Sequence, residues 1–295
     1  MLFEVKREVK WILKVNREVG MKKRLLASLI LLVSVGSYGN AMAVVDLNYT
    51  DFSTTAGLNL SGTAHTAVNS NGQNVLRLTD AVNNSTGTAF SSTAVNVSNF
   101  SSAFQYQFSG GNGSADGIAF VIKNPASVTG ANGGGMGYLG TPNSFAVEFD
   151  SWYNSEYKDP TTGANHIGID VNGSVNSIKT VDISPNFNGS GKWYAWVDYS
   201  NGILSVSTNQ TGEKPGTAML SKVVNLSETV GSSDALVGFT AATGGANQNH
   251  DILSYQQISN PAPVPEPSTY VLMGIGGLLA AARLRKSGLK EEPQF

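Results

Sequence analysis

The chain contains no cysteine. No disulfide can staple it, so its stability has to come from a large apolar core, with bound metal as a further source. Charge is also scarce, at 14% of 295 residues, and histidine occurs only three times. Long amphipathic helical patterns are scarce outside the two ends. The few charges are unevenly spread. Of the 19 Lys+Arg, eight precede Ala27 and four follow Tyr270, which leaves seven between Val44 and Pro265 against 15 Asp+Glu. An acidic middle lacks the basic patches on which nucleic-acid binding rests. It suits cation binding or a solvated surface. What is plentiful is glycine (33 residues), with Ser, Thr and Asn, a composition that favours an all-β protein with many turns. No internal repeat is visible, and no domain boundary interrupts the chain before Asn260.

Both ends read as addresses. In "MKKRLLASLILLVSVGSYGNAMA" (21–43) a basic start at Lys22–Arg24 precedes an apolar run from Leu25 to Val35 and a small-residue A-x-A ending at Ala43. That order is a secretory signal. Residues 1–20 precede it awkwardly and are read as a non-native extension, with Met21 the true start. At the other end, "VPEPSTYVLMGIGGLLAAARLRK" (264–286) joins a Pro-rich linker (260–267) to an apolar helix from Tyr270 to Ala282, then Arg283, Arg285 and Lys286. The run falls short of the roughly 20 residues of a comfortable membrane span, and the basic cluster should stay cytoplasmic. Residues 264–287 resemble the PEP-CTERM sorting signal. That resemblance implies transient membrane insertion through the helix and recognition by an exosortase-type enzyme. It also implies delivery to the envelope, outer surface or extracellular matrix of a Gram-negative bacterium.

From Val44 to about Ile258 the pattern has period two. "AFQYQF" places Phe104, Tyr106 and Phe108 on one face. "GIAFVI" (117–122) is apolar throughout, as a strand buried on both faces would be. In "KWYAWVDYSNGILSVST" the pair Asn201-Gly202 tolerates positive φ and marks a hairpin turn. Many such strands without helices imply a sandwich or jelly roll. In "AVEFDSWYNSEYKDPTTGANHIGID" (146–170), Phe145, Val147 and Phe149 make an apolar face, while Glu148, Asp150 and Trp152 share the other. Ile167, Ile169 and Val171 face the core, and His166 begins the opposite face. Antiparallel pairing across the loop would set His166 beside Glu148, with Asn154 and Asp159 over the strand ends. Carboxylates held this close require protonation or a cation. Oxygen ligands suit calcium, and an added imidazole suits an ion such as manganese. Spacing alone leaves a solvated polar loop equally open.

The same stretch resembles the metal-binding segment of legume (L-type) lectins. "ADGIAFVI" (115–122), "GGGMGYLG" (133–140), "KWYAWVDY" (192–199) and "VGFTAATGGANQNHDILSY" (237–255) also resemble lectin segments, in the family's order. The resemblance covers nearly all of 44–259 and implies a concanavalin-like jelly-roll β-sandwich, flanked here by the signal helix and the short C-terminal helix. It implies that Asp150 and Asp159 bridge two metals. Glu148 and His166 would complete the Mn2+-type ion, with Ser177 near its water. Asn154 and the Trp152 carbonyl would complete Ca2+. A saccharide, or an exopolysaccharide, would be held by Asp116, Asn154 and the N–H near Gly134, with the Trp152 ring stacked on its apolar face. The loop Thr243–His250, with Gly244 and Gly245, would set which sugar fits. The Ala115–Asp116 peptide is expected to be cis. An extra glycine in "VNGSVNS" puts Ser177 in question.

Other residues are assigned by elimination. His65 is read as a surface residue and His250 as a solvated loop histidine. Trp193 and Trp196 fall on opposite strand faces, one of them in the core. "GGG" (133–135) lacks the Lys-Ser/Thr and helix of a phosphate loop. Laminarinase-like glycoside hydrolases share the architecture and carry Glu-x-Asp-x-(x)-Glu. Here Glu148 and Asp150 match, but the third acid is replaced by Trp152 or Tyr153, and retaining hydrolysis needs two carboxyl groups about 5 Å apart. A binding protein is therefore expected rather than an enzyme. The other alternative is a matrix protein that kept the fold and lost the sugar.

Overall fold

Alternating apolar residues build the two sheets. The computed structural model describes residues 44–126, 130–160, 165–189 and 191–260. The expected extension, signal helix, sorting helix and all of the Pro-rich linker after Asn260 lie outside the described residues, as does "TTGA" (161–164) between Asp159 and His166. Among the described residues the strands are β1 (Val44–Tyr49), β2 (Leu58–Gly62), β3 (His65–Val68), β4 (Asn74–Thr79), β5 (Thr86–Ser91), β6 (Val95–Asn96), β7 (Phe100–Asn112) and β8 (Gly117–Lys123). They continue with β9 (Ser144–Asp150), β10 (His166–Val171), β11 (Lys179–Asp182), β12 (Lys192–Ser200), β13 (Ile203–Asn209), β14 (Leu220–Val223), β15 (Asp234–Ala242) and β16 (Asn247–Ser259).

One sheet runs β14-β13-β12-β7-β16-β4-β3, with β1 also paired to β16. The other runs β11-β10-β9-β8-β15-β5-β2, with β6 paired to β15. Order along the sheets differs from order along the chain, as in a jelly roll, and the pairings are antiparallel. The hairpin between β12 and β13 turns at Asn201 and Gly202, both at positive φ (53° and 77°). Among the described residues the one α-helix, α1 (Leu226–Val230), is capped by the Asn225 side chain, which accepts from the Glu228 N–H, and ends at Gly231 in the left-handed region. No described helix is long and apolar enough to cross a membrane.

Between the sheets lies an aromatic core. Phe104 meets Phe239 at 4.9 Å and Phe149 at 5.5 Å between ring centroids, both edge-on. Such pairs add to the area they bury. Phe104, Tyr106 and Phe108 are all buried, as their alternation requires. Strands β8, β9 and β10 are buried on both faces. Their second face packs against Met136, Tyr138 and Val175. This second apolar layer lies under the glycine turn at 133–135 and positions it.

Trp193 is buried while Trp196 lies on the outer face, and His65 is exposed. His250 corrects the sequence reading. It belongs to β16, not to a solvated loop, and it is completely buried. Its Nδ1 lies 2.6 Å from Thr79 Oγ1, and Phe108 meets its ring edge-on at 4.9 Å. The loop after β15 is shorter than expected because β16 already begins at Asn247.

Burial drives the His250 pKa down to about 3, whereas an unfolded histidine protonates near 6.5. Between those values the unfolded chain binds the extra proton, so stability is full above pH 6.5 and falls as pH drops. The expected loss is about 1.4 kcal/mol per pH unit below 6.5. Thermal unfolding of His250→Gln should lack this component, so its stability difference from the native chain should shrink as pH falls from about 7 to about 4.5. Parallel pH profiles would exclude a neutral buried imidazole.

Candidate metal and saccharide site

Strands β9 and β10 pair so that His166 lies opposite Asp150 and Gly168 opposite Glu148. His166 is therefore diagonal to Glu148, and its Nε2 stands 3.0 Å from Glu148 Oε1. Glycine at 168 makes room for these side chains. A Cβ there would sit 2.2 Å from Glu148 Oε1 and 2.0 Å from Ser177 Oγ. Ligand atoms of Glu148, Asp150 and His166 all lie within 4.8 Å of one another, and all three residues are buried. Asp159 is set beside this triangle by its loop, where its carboxylate accepts from the Asn154 N–H. Ser177 does reach the cluster and donates to Glu148 Oε1 at 2.7 Å, so the extra glycine in its loop is accommodated.

The residue just before β8 comes next. The Ala115–Asp116 bond is cis, as the resemblance implied. The Asp116 carbonyl accepts from the Ser151 N–H and hydroxyl, each at 2.9 Å. A Cβ on Gly244 would lie 3.4 Å from Asp116 Oδ2 and 3.2 Å from Gly133 Cα, and a Cβ on Gly134 would lie 2.5 Å from Asn154 Oδ1. Asp116, Gly244, Gly133, Gly134 and Asn154 therefore lie side by side in one patch, with the closest approach at Gly134 and Asn154. Gly245 has open space around it. Trp152 is 39% exposed, next to Gly113, and its N–H donates to Asp150 Oδ1 at 2.6 Å.

The electrostatics are one-sided. Asp116, Glu148, Asp150, Asp159 and Asp170 are all buried. Among the described residues, the one ion pair recorded to this group is His166 with Glu148. Burial, then the Glu148 charge, pushes the Asp150 carboxyl well above its ordinary range. Burial raises Asp159 to about 6 and Asp116 to about 7. Burial raises Glu148 as well, but the hydrogen bond and charge of His166, with hydrogen bonds from Tyr138 and Ser177, bring it below its usual value. Asp116 Oδ2, Asn154 Oδ1 and His166 Nδ1 are buried without a hydrogen-bond partner. Buried acceptors left this way are costly unless something satisfies them. Negative charge in excess, unpartnered acceptors and a mixed carboxylate–imidazole set together fit a divalent cation.

Two residues of this cluster were not singled out in the sequence. Asp170 lies on the same face as His166 and Gly168, which strand alternation alone could have shown. Tyr138, from the glycine-rich segment, donates its hydroxyl to Glu148 Oε2 at 2.6 Å and lies 3.1 Å from Asp170 Oδ2. No sequence signal marks a tyrosine that reaches across a turn to a carboxylate.

A sandwich of this topology with such a cluster at one end defines a lectin-like carbohydrate-binding fold. The legume lectin domain model matches residues 44–270, and the PEP-CTERM protein-sorting motif matches residues 263–286. The chain belongs to the legume lectin domain family. It is 34% identical over 208 residues to favin of Vicia faba, covering 62% of this chain and 84% of favin. It is 32% identical over 241 residues to an L-type lectin-domain containing receptor kinase of Oryza sativa subsp. japonica. That match covers 70% of this chain and 35% of the kinase, so this chain spans about a third of the kinase's length. Basic winged bean lectin, solved with Tn-antigen, superposes with a TM-score of 0.63 at 30% identity, covering 76% of this chain and all of that one. The sorting motif implies export by way of an exosortase, to the cell envelope or outside.

Two substitutions probe the cluster. Asp150→Asn relieves buried like charge, so in chelator at neutral pH it should raise the melting temperature by a few degrees. If the cluster holds divalent cations, Ca2+ and Mn2+ should raise the melting temperature of the native chain and not that of this variant. Stabilisation by the cations to the same extent in both proteins would exclude Asp150 as a ligand. Tyr138→Phe leaves the Glu148 carboxylate one donor short. It should weaken Mn2+ binding roughly 10-fold or more by calorimetry, since partners behind a metal ligand commonly matter that much.

Proposed function

We propose that this protein is an exported lectin that binds saccharide at the patch around Asp116, organised from beneath by Ca2+ and a Mn2+-type ion. In this reading Glu148, Asp150, Asp159 and His166 hold the transition ion. Asp150, Asp159, Asn154 and the Trp152 carbonyl hold calcium. The bound cations would supply the positive charge that the carboxylates lack. The observation that carries the reading is the buried Glu148–Asp150–His166 triangle directly beside the partnerless acceptors of Asp116 and Asn154.

The chain's own residues divide the work. The Asp116 carboxylate accepts from adjacent sugar hydroxyls, the Asn154 amide donates to one, and the N–H of Gly134 donates to another. The exposed Trp152 ring offers an apolar plane to a sugar's C–H face. Gly244 and Gly245 keep the rim open, and the short loop they occupy sets which sugar enters. Deprotonated Asp116 is the accepting form. Its carboxyl is raised to about 7 by burial, and a neighbouring cation favours ionisation. The winged bean lectin's Tn-antigen supports a saccharide as ligand. The ends of the chain support the address: leader 21–43 and sorting tail 264–287 bracket the lectin domain 44–259. An exosortase-type enzyme would act on the tail, and an exopolysaccharide of the surrounding matrix is the ligand we favour. The reading is non-catalytic, because Trp152 and Tyr153 occupy the place of a hydrolase's third acid.

A glycan array run with Ca2+ and Mn2+ and again with chelator tests this. Retention should be lost in chelator, and Asp116→Ala should lose at least 10-fold in affinity while still being stabilised by the cations. Equal binding with and without cations would refute a metal-organised site. Release of reducing sugar from β-glucans would replace the lectin reading with a hydrolase.

A further inference from the structure

The sheet that carries no part of this site has a groove of its own. It occupies about 400 Å³ on the outer face of β7, β12, β16 and β1, within the size range of small-molecule sites. Its form follows from register. Tyr194 lies opposite Gln105, which lies opposite Ser254. One step along, Trp196 lies opposite Ala103, Ala103 opposite Gln256, and Gln256 opposite Asn48. The small Ala103 between Trp196 and Gln256 leaves the depression. On one side the Tyr194 and Trp196 rings lie nearly parallel, 12° apart with centroids at 6.4 Å. The loop at Gly212 closes one end, where a Cβ would lie 3.0 Å from the Tyr194 ring. The amides of Gln105, Gln256 and Asn48 line the same groove.

We infer that this groove is a second carbohydrate site, taking a segment of neutral polysaccharide and independent of the metal-held site. The lining contains no carboxylate, ammonium or guanidinium, so it has nothing with which to select a charged ligand. Asp198 and Lys214 nearby neutralise each other at 2.7 Å. Amides present a donor and an acceptor together, which suits neighbouring hydroxyls. The half-buried Tyr194 and Trp196 rings give the groove an apolar wall for a sugar's C–H face. Gln256 Nε2 donates to Asn48 Oδ1 at 3.5 Å, and Gln105 makes no recorded side-chain hydrogen bond among the described residues. A second copy of this chain is the competing occupant.

Affinity electrophoresis through gels containing a β-glucan, a galactan or a mannan separates the two sites. The full chain is run with Ca2+ and Mn2+ present, so the domain stays loaded. Asp116→Ala silences the first site. In that background at least one polysaccharide should still retard the protein, and adding Trp196→Ala should weaken the retardation 10-fold or more. Circular dichroism verifies folding, and Gln105→Ala substitutes for Trp196→Ala should the latter misfold. Loss of all retardation in Asp116→Ala alone would overturn the second site and leave the first standing. Retardation that survives both Trp196→Ala and Gln105→Ala would also overturn it. A native dimer that Trp196→Ala converts to a monomer, seen by light scattering, would assign the face to self-association instead. Retardation unchanged by Asp116→Ala but abolished by Trp196→Ala would uphold this groove and refute the first site.

Discussion

Everything at the functional end depends on negative charge buried faster than it is paired. Strand alternation forces Glu148 and Asp150 onto the face that packs beneath the glycine turn, and antiparallel register adds His166 across from them. One imidazole cannot balance five neighbouring carboxyls. The protein must protonate some of them or recruit cations, and the raised carboxyls of Asp116, Asp150, Asp159 and Asp170 record that conflict. The absence of cysteine sharpens the point. Without a covalent staple, the loop between β9 and β10 has only hydrogen bonds, packing and whatever binds those acids to order it.

Glycine is what allows this density of acids. Gly168 gives Glu148 and Ser177 room to meet, and Gly134 gives Asn154 room to approach the turn. Each replaces a side chain that would otherwise separate polar groups. The second apolar layer, with Tyr138 and Met136, then seals the cluster from solvent. The hydroxyl of Tyr138 keeps that seal from being purely apolar, since it joins Glu148 to Asp170.

Most of this was legible in the sequence because period two is unforgiving. The alternation at 145–152 and 166–171 fixed which side chains share a face, and the Asn201-Gly202 pair fixed a hairpin. The resemblance to lectins added the cis peptide, which spacing could not. What stayed hidden depended on contacts between distant segments. His250 reads as a polar loop residue until β16 is seen to begin at Asn247 and to bury it against Thr79 and Phe108. Tyr138 joins the acids through a turn whose shape no local pattern specifies. The outer groove needs four strands in register before Ala103 becomes a floor and Trp196 a wall.

Strand β16 runs the length of the sandwich. Its first residue, Asn247, adjoins the glycine rim, whereas its last, Ser259, pairs with Val44 at the start of β1. Thirteen residues at strand rise separate the two by roughly 40 Å. Val44 and Ser259 therefore lie side by side, at the pole remote from Asp116. The pole that carries Asp116 is thereby left clear of both ends of the paired sheets.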